Sequence, residues 1–241
     1  PSLSWEVNVL ATQQIIDKAV RYGVKHFIYA SSGSVYGVKD VNDVHEGMDL
    51  EPLTDYSKFK ADCEKILKKY TDKEFCGVTI RPATVCGYSK RQRLDVIVNI
   101  LTNIGFHNRE ITVFGGKQLR PNIHIKDMIR AYKILIDAPN NLVAGEIFNA
   151  GWENKSVINI AEIVKSELGD DIKIKFTETN DNRSYHISSK KIKDVLNFQA
   201  EFSIQDAVRD LKEAFEKKLL INTLNNPDYF NIKKMQKINL N

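Results

Sequence analysis

Residues 25–34 have the sequence Lys-His-Phe-Ile-Tyr-Ala-Ser-Ser-Gly-Ser, in which an apolar, aromatic stretch ends abruptly in small polar residues. Such a stretch predicts a short strand over residues 25–30, followed by a loop. Before it, mostly apolar residues recur every three or four positions over residues 6–22, and Gly23 follows them. This pattern predicts a helix and its end.

The alternation of helix and strand continues after this stretch. Residues 56–70 predict a second helix, capped by Thr54 or Asp55, and residues 77–81 predict a second strand, stopped by Pro82. Helices and strands at this spacing indicate βαβ units and a parallel sheet.

The same patterns predict elements in the second half of the chain. Further helices are expected over residues 94–101, 127–136, 159–168, where Asn159 is the expected cap, and 203–219, which begins with Ser203-x-x-Asp206. Further strands are expected over residues 110–114, 146–149 and 173–176. We expect three regions with boundaries 1–88, 89–220 and 221–241, of which the last is a loosely docked tail.

The composition excludes several classes of protein. The 241 residues are 42% hydrophobic and 27% charged, and the net charge of +4 comes from interspersed charges, so no basic face for nucleic acid is expected. No apolar run of about 18 residues occurs, so no membrane span is predicted. Cys63, Cys76 and Cys86 fit neither a disulfide framework nor a zinc site, which predicts a reducing, cytoplasmic location and no metal centre.

Tyr56 and Lys60 stand four positions apart on the second predicted helix, and therefore share one face of it. An ammonium group favours the ionised form of a neighbouring tyrosine and lowers its pKa. An ionised tyrosine can accept a proton from a sugar hydroxyl. The spacing alone is common on solvated helix surfaces, so its meaning depends on the residues around it.

Those residues form an ordered set. Ser32 follows the first predicted strand, at the kind of strand end where parallel sheets place their active sites. Asn8 stands inside the first helix against its propensity, and residues 81–87 are Arg-Pro-Ala-Thr-Val-Cys-Gly at the end of the second strand. Over essentially its whole length the chain resembles the extended short-chain dehydrogenase/reductase family, in particular the NAD-dependent epimerase/dehydratase group.

The resemblance implies an α/β fold with a doubly wound parallel sheet of Rossmann type. The first βαβ portion of that sheet is missing, and a smaller C-terminal α/β region binds the substrate. Within this fold the resemblance makes Tyr56 the catalytic base, assisted by Ser32, with Lys60 also holding the nicotinamide ribose. These three residues, Asn8 and the backbone at Ala83 would contact the cofactor. The cofactor implied is NAD, with NADP left open.

The resemblance extends to the substrate. Residues 120–127, Arg-Pro-Asn-Ile-His-Ile-Lys-Asp, resemble a family segment whose arginine binds the diphosphate of a nucleotide sugar, a task that suits a guanidinium fork. A surface salt bridge is the other interpretation of Arg120. Arg183 resembles a second diphosphate contact, although Ser188 replaces the acidic residue of that motif. Ser32 and Thr84 stand at positions that contact the sugar, and His124 is expected to be a structural core histidine.

Gly33 and Ser34 depart from the pattern of one branch of the family. They replace the Asp-Glu pair of the 4,6-dehydratases, and neither can act as an acid or base near neutral pH. The resemblance therefore implies 4-epimerisation of a nucleotide-diphosphate sugar, or NAD(P)H-dependent reduction of a keto-sugar, ahead of dehydration. Relatives dimerise through helices that correspond to residues 6–22 and 56–70, so a homodimer is expected, although core packing explains the apolar residues there equally well.

No Gly-x-x-Gly-x-x-Gly motif occurs in the chain, although the fold needs one to bind the dinucleotide pyrophosphate. By the logic of the doubly wound sheet we expect roughly 80–100 further residues ahead of Pro1, including the acidic residue that distinguishes NAD from NADP. For residues 1–241 alone we expect negligible NAD affinity. The competing interpretation is a non-catalytic module that has lost its dinucleotide site, and the coding sequence upstream of Pro1 distinguishes the two.

Overall fold

The computed structural model describes residues 2–41, 43–179 and 184–238. Backbone contacts divide the chain into two compact units. The first unit comprises residues 1–83, 128–152 and 183–200, and the second comprises residues 84–127, 153–182 and 201–241. Each unit therefore combines segments that are distant in the sequence.

The secondary structure alternates between helix and strand along most of the described residues. In chain order the strands are β1 (His26–Ala30), β2 (Cys76–Pro82), β3 (Thr84–Cys86), β4 (Glu110–Phe114), β5 (Leu119–His124), β6 (Ile147–Ala150), β7 (Glu153–Ser156) and β8 (Lys173–Thr177). The α-helices are α1 (Ser2–Trp5), α2 (Ala11–Arg21), α3 (Asp55–Tyr70), α4 (Ile97–Asn108), α5 (Ile125–Asp137), α6 (Asn140–Val143), α7 (Val157–Leu168), α8 (Lys190–Leu196), α9 (Ile204–Glu216) and α10 (Asn231–Lys237). A π-helical turn, Glu6–Leu10, joins α1 to α2, and short 3-10 helices cover Gly33–Tyr36 and Pro227–Tyr229.

A parallel sheet of β1, β2 and β6, in that order, lies in the first unit. The register pairs Ala30 with Ile80 and Ile80 with Phe148, so the three strands end at a common edge. The predicted parallel sheet is thereby confirmed. Polar groups that follow these strands can be brought together at that edge, as in other open α/β sheets.

Helix α3 packs against α2 and the π-helical turn around the buried side chains of Ile16, Cys63 and Leu67. Thr54 begins α3 with a capping box, since its side chain accepts the Ser57 N–H and the Ser57 side chain accepts the Thr54 N–H. Thr54 is therefore the cap, rather than Asp55. The start of the helix that carries Tyr56 is fixed by two local hydrogen bonds.

Two small sheets lie in the second unit. Strand β5 pairs in parallel with β3 and antiparallel with β7, and β4 pairs in parallel with β8. Helices α4, α7 and α9 pack around a core that includes Ile111, Val164 and Val208. Ser203 begins α9 with a capping box to Asp206, at the predicted position.

The boundaries of α4 differ from the sequence-based expectation of residues 94–101. The helix begins at Ile97 because the Leu94 N–H is bonded to the Tyr229 carbonyl at 2.9 Å, which holds this segment in a loop. It continues to Asn108, where Arg109 adopts the left-handed conformation with φ +55° and ends it. Contacts with distant residues, and not local propensity, determine where this helix starts.

The start of α7 and the C-terminus of α9 also differ from the sequence-based prediction. Ser156, and not Asn159, is the cap of α7, because the Ser156 side chain accepts the Asn159 N–H and Asn159 lies within the first turn. Helix α9 ends at Glu216 rather than at residue 219, since Lys218 has a φ of +55° that no right-handed helix allows.

The expected tail, residues 221–241, is described by the structure as far as residue 238. Thr223 is buried and its carbonyl accepts a hydrogen bond of 3.1 Å from Asn103 Nδ2. Helix α10 lies further along, so this part of the chain contains a helix that the sequence pattern did not predict. Periodicity is low there because the contacts are made by backbone groups and single side chains.

Candidate active site

Ser32 lies directly beyond the carboxyl end of β1. The Ser31 N–H donates to the Ile80 carbonyl at 2.8 Å, and Ser32 then caps the 3-10 helix Gly33–Tyr36. The Ser32 Oγ accepts the Ser34 N–H at 3.2 Å and lies 2.9 Å from the Ser34 Oγ. The short helix thus fixes the position of the Ser32 hydroxyl.

Helix α3 presents Tyr56 and Lys60 on adjacent turns. The Lys60 Nζ donates to the carbonyl of Ala30, the last residue of β1, at 2.8 Å. The same Nζ lies 5.6 Å from the centre of the Tyr56 ring, and Tyr56 is 49% exposed. The helix therefore brings a solvent-accessible tyrosine and an ammonium to the strand end that precedes Ser32.

Tyr29 also contributes to this site, although the sequence predicts no role for it beyond strand propensity. The Lys60 Nζ lies 5.1 Å from the centre of the Tyr29 ring, so the ammonium is close to two aromatic side chains. Burial lowers the pKa of Lys60 below its usual value. Burial and a hydrogen bond to Cys63 raise the pKa of Tyr29, so Tyr29 stays neutral beside the ammonium.

Asn8 lies in the π-helical turn, where the Ala11 N–H reaches back five residues to the Glu6 carbonyl. The Asn8 side-chain amide donates to the backbone carbonyl of Ser4 at 2.8 Å. The backbone carbonyl of Asn8 accepts a hydrogen bond from the Cys63 thiol at 3.1 Å. Such π-helical turns are rare in proteins, and those that do occur are often found at functional sites. Through Cys63 the turn is connected to α3, the helix of the Tyr-Lys pair.

Gly33 has little space for a side chain. A Cβ atom at this position would lie 3.2 Å from the Pro82 carbonyl oxygen and 3.3 Å from Ile187 Cγ2, closer than ordinary van der Waals contact. An aspartate at residue 33 would require one of these neighbours to move. The sequence has glycine at residue 33, where an acidic side chain was considered, and the structure shows that a side chain at this position is sterically restricted.

Ala83 and Arg183 are two further candidate residues from the sequence. The Ala83 N–H donates to the Ala150 carbonyl at 2.8 Å, next to the end of β2. Arg183, the second expected diphosphate contact, lies outside the described residues. The first unit thus brings together Ser32 and the Tyr-Lys pair.

Thr84 and Arg120 belong to the second unit, on neighbouring strands. Thr84 in β3 is paired with Asn122 in β5, two residues after Arg120. The Arg120 Nη1 donates to the Leu119 carbonyl at 2.9 Å. The two residues expected to contact the substrate from this part of the chain therefore lie close together in one sheet.

Cys63, Cys76 and Cys86 are free and buried. In residues 2–41, 43–179 and 184–238, no group of three or more His, Cys, Asp or Glu side chains is arranged to hold a metal ion. No helix within these ranges has the length and apolar character needed to cross a membrane.

Comparison with known proteins relates the chain to enzymes of nucleotide sugars. An uncharacterised UDP-glucose epimerase of Bacillus subtilis is 27% identical over 208 residues, which cover 83% of this chain and 64% of that protein. A dTDP-glucose 4,6-dehydratase of an Actinoplanes species is 24% identical over 211 residues, covering 84% of this chain and 64% of that protein. The UDP-glucuronic acid 4-epimerase of Bacillus cereus, in complex with UDP-glucuronic acid and NAD, has a TM-score of 0.78 at 25% identity and matches 88% of this chain and 68% of that chain.

The chain spans 64% of the length of each of these two sequence relatives. The structural likeness confirms the expected Rossmann-type α/β fold. The relatives include both epimerases and dehydratases, so they agree on the family rather than on one reaction. A model of the NAD-dependent epimerase/dehydratase family matches residues 1–151, more than half of the sequence, and the chain therefore belongs to that family.

Proposed function

We propose that this protein is an NAD-dependent 4-epimerase of a nucleotide-diphosphate sugar, with the chemistry carried by Ser32, Tyr56 and Lys60. The position of the Lys60 ammonium supports this most directly. It lies 5.6 Å from the centre of the Tyr56 ring and 2.8 Å from the Ala30 carbonyl, two residues before Ser32. A cation at this place favours an ionised tyrosine beside the strand end.

Each of these residues has a defined task in the proposal. The Tyr56 oxygen accepts the proton of the sugar C4 hydroxyl, while the Ser32 hydroxyl, held by Ser34, binds the same oxygen of the sugar. Lys60 stabilises the ionised tyrosine. NAD, when bound, would supply the acceptor for the C4 hydride, and the return of that hydride to the opposite face of the sugar carbon would invert C4 and regenerate NAD. Tyr56 then gives its proton back, so no further acid or base is needed.

The side chains present fit the nicotinamide end of a dinucleotide. An ammonium group has three donors, and Lys60 uses one of them on Ala30, which leaves two for ribose hydroxyls. Asn8 and the backbone at Ala83 are the other proposed contacts. NAD is the cofactor named with the structurally similar 4-epimerase of Bacillus cereus, and NADP is the alternative.

We assign the diphosphate of the substrate to Arg120 and Arg183, because a guanidinium can bind two phosphate oxygens at once. Thr84 is the proposed sugar contact from the same part of the sequence. UDP-glucose and UDP-glucuronic acid are the first substrates to test, since the relatives are named for them.

Gly33 and Ser34 support epimerisation over dehydration. Dehydration requires an acid and a base beside the serine, and neither residue titrates near neutral pH. Net reduction of a keto-sugar by NAD(P)H is the alternative within the family. Reduction consumes nicotinamide absorbance in proportion to product, whereas epimerisation leaves that absorbance unchanged.

The test compares the full-length protein with its Tyr56→Phe variant, using NAD and UDP-glucose. We expect NMR to show the 4-epimer as the product of the wild-type protein, and kcat of the variant to fall at least about a hundredfold. Tyr22→Phe is the matched control, because Tyr22 is 83% exposed and lies outside α3. Equal turnover by Tyr56→Phe and the wild-type protein would refute the assignment.

We further propose a homodimer formed through residues 6–22 and 56–70. Val7 and Ile15 are 61% and 56% exposed on the first of these segments, and several exposed apolar side chains on one segment favour a partner surface. The substitutions Val7→Asp and Ile15→Asp together are expected to convert a dimer into a monomer in analytical ultracentrifugation. A wild-type protein that sediments as a monomer would refute this proposal.

A further inference from the structure

Glu64 and Arg81 form an almost completely buried ion pair inside the first unit, with side chains that are 6% and 3% exposed. The Arg81 Nε donates to Glu64 Oε1 at 2.9 Å and Nη2 donates to Oε2 at 2.6 Å, so guanidinium and carboxylate meet at two points. Burial alone would lower the pKa of Arg81, but its hydrogen bonds to Glu64 raise that pKa above the usual value. Arg81 therefore stays charged in the folded protein and has the Glu64 carboxyl group as its direct partner.

Each partner makes a further hydrogen bond near the common edge of the sheet. The Ser31 hydroxyl donates to the Glu64 carboxylate, and Arg81 Nη1 donates to the Tyr36 oxygen at 2.7 Å. The Tyr36 hydroxyl in turn donates to Asn149 Oδ1 at 2.8 Å. Side-chain bonds thus connect α3, β2, β6 and the loop that follows β1.

Glu64 stands on the helix that carries the proposed catalytic pair. It lies one turn beyond Lys60 and two turns beyond Tyr56, and residues four apart on a helix share a face. Its partner Ser31 immediately precedes Ser32. The Glu64 carboxylate therefore connects α3, which carries Tyr56, to the end of β1, which precedes Ser32.

Stability alone does not account for this buried pair. Desolvation of two charges offsets much of their attraction, and well-packed hydrophobic residues in their place are often neutral or stabilising. Hydrophobic contacts lack direction, however, whereas the Glu64 carboxylate has fixed bonds to Arg81 and Ser31. A displacement of about 1 Å in an active site can lower the rate about a hundredfold.

We propose that Glu64 is a positioning residue, which sets the distance between α3 and the end of β1 through its bonds to Arg81 and Ser31. This inference rests on the proposed epimerase function and deepens it. Glu64 does not touch the reacting atoms. It holds Tyr56 and Lys60 where they act together with the serine.

The test uses two variants of the full-length protein. Glu64→Gln keeps an acceptor for Ser31 but leaves the Arg81 charge without its partner, so its melting temperature is expected to fall. The second variant combines Glu64→Leu with Arg81→Met, which removes both charges at similar volume and should preserve the melting temperature to within about 5 °C. The second variant carries the test if the first fails to fold.

In the Glu64→Leu/Arg81→Met variant we expect kcat to fall about a hundredfold while KM changes less than about threefold. We also expect the acidic limb of the kcat profile to move to higher pH, because the Lys60 ammonium no longer supports Tyr56 from the same position. A purely structural role would reduce the folded fraction without moving this limb. A folded variant with the wild-type kcat and pH profile overturns the inference.

Hydrogen exchange in residues 55–70 gives a readout that does not depend on turnover. Exchange is expected to be about tenfold faster in the doubly substituted variant, because α3 loses its directional contacts to the sheet. Asp62→Asn is the matched control, since Asp62 pairs with Lys65 on the same helix at 3.2 Å but in exposed positions. Unchanged exchange in the doubly substituted variant overturns the inference even if the wild-type protein shows no epimerase activity, a result that would refute only the proposed function.

Discussion

The Lys60 ammonium donates a hydrogen bond of 2.8 Å to the carbonyl oxygen of Ala30. Lys60 lies in helix α3 and Ala30 is the last residue of β1, so this bond joins the two elements that form the candidate site. It also holds the ammonium beside the rings of Tyr29 and Tyr56. In the proposed reaction, the support of Lys60 for an ionised Tyr56 therefore depends on a backbone group, which side-chain substitutions do not remove.

Replacement of Lys60 by Met should lower kcat by about a hundred- to a thousandfold. The substitution keeps the apolar stem but removes the charge beside Tyr56, so the base is no longer favoured in its ionised form. Lys60→Arg keeps the charge but offers a planar fork in place of a compact ammonium, and we expect a loss of about tenfold. Steady-state kinetics with NAD and UDP-glucose measure both effects.

Lys58→Met is the matched control for this prediction, because Lys58 lies on the same helix with a side chain that is 55% exposed. Its kcat should equal that of the wild-type protein. If Lys60→Met were equally active, Lys60 would have no electrostatic role in the site.

Removal of the Ser34 hydroxyl should have a smaller effect. The Ser34 Oγ lies 2.9 Å from the Ser32 Oγ, and one hydrogen bond of this kind contributes about 1 kcal/mol. We therefore expect kcat of Ser34→Ala to fall about fivefold with little change in KM. Ser34→Thr keeps the hydroxyl and should restore the rate. A Ser34→Ala protein as fast as wild type would mean that backbone contacts alone position Ser32.

The fold of the first unit is predictable where its signals are local. Strands β1 and β2 are short, mostly apolar runs, and the Thr54 cap marks the start of α3. Strands β3, β5 and β7 are not predicted, because they contain polar residues and Pro121 and their conformation depends on pairing with one another. These segments are extended because they pair with neighbouring strands, and their own residue types do not indicate a strand.

The candidate site divides in the same way. Tyr56 and Lys60 can be proposed from the sequence because their spacing within one helix occurs together with Ser32 after a strand, in an ordered set that resembles the family. The roles of Tyr29 and Glu64 depend on contacts between elements, such as the bond between Ser31 and Glu64, 33 positions apart. A helical spacing of four beyond Lys60 is the one signal that could have identified Glu64.

The turn at Gly37 provides a test of the backbone that follows Ser32. Gly37 has a φ of +70°, and a Cβ atom there would collide with the Glu51 carbonyl oxygen. Gly37→Ala should therefore lower the free energy of unfolding by about 3 kcal/mol. Gly23→Ala is the control, since Gly23 has a φ of +72° but no atom within 4 Å of its Cβ position, and should cost about 1 kcal/mol. Equal losses in urea unfolding would show that the turn can move away from Glu51.

His124 should make the stability of the protein depend on pH. Its side chain is fully buried, the Nδ1 atom accepts the Lys126 N–H at 3.1 Å, and Nε2 lies 3.3 Å from Asp210 Oδ2. Burial lowers the pKa of His124, Lys126 adds to this effect, and Asp210 opposes it. An acceptor role for Nδ1 also requires the neutral ring.

The sign of the pH effect follows from the lowered pKa. The unfolded chain takes up a proton at this histidine near pH 6.5, while the folded protein does so only at lower pH. Between those two values the unfolded state binds more protons, so the free energy of unfolding falls as the pH decreases. The stability that the neutral ring contributes is complete above about pH 6.5 and is lost as the pH falls through the folded pKa.

His124→Gln should therefore show a smaller drop in melting temperature than the wild-type protein between about pH 7 and about pH 5. The variant is expected to be less stable at every pH because the packing against Phe202, with ring centres 5.1 Å apart, is lost. The informative quantity is thus the slope and not the absolute value. Gln92→Ala, which removes a buried side chain that does not titrate, should destabilise the protein but retain the wild-type slope. If both variants have the wild-type slope in thermal unfolding followed by circular dichroism, His124 is not the group that makes the fold sensitive to acid.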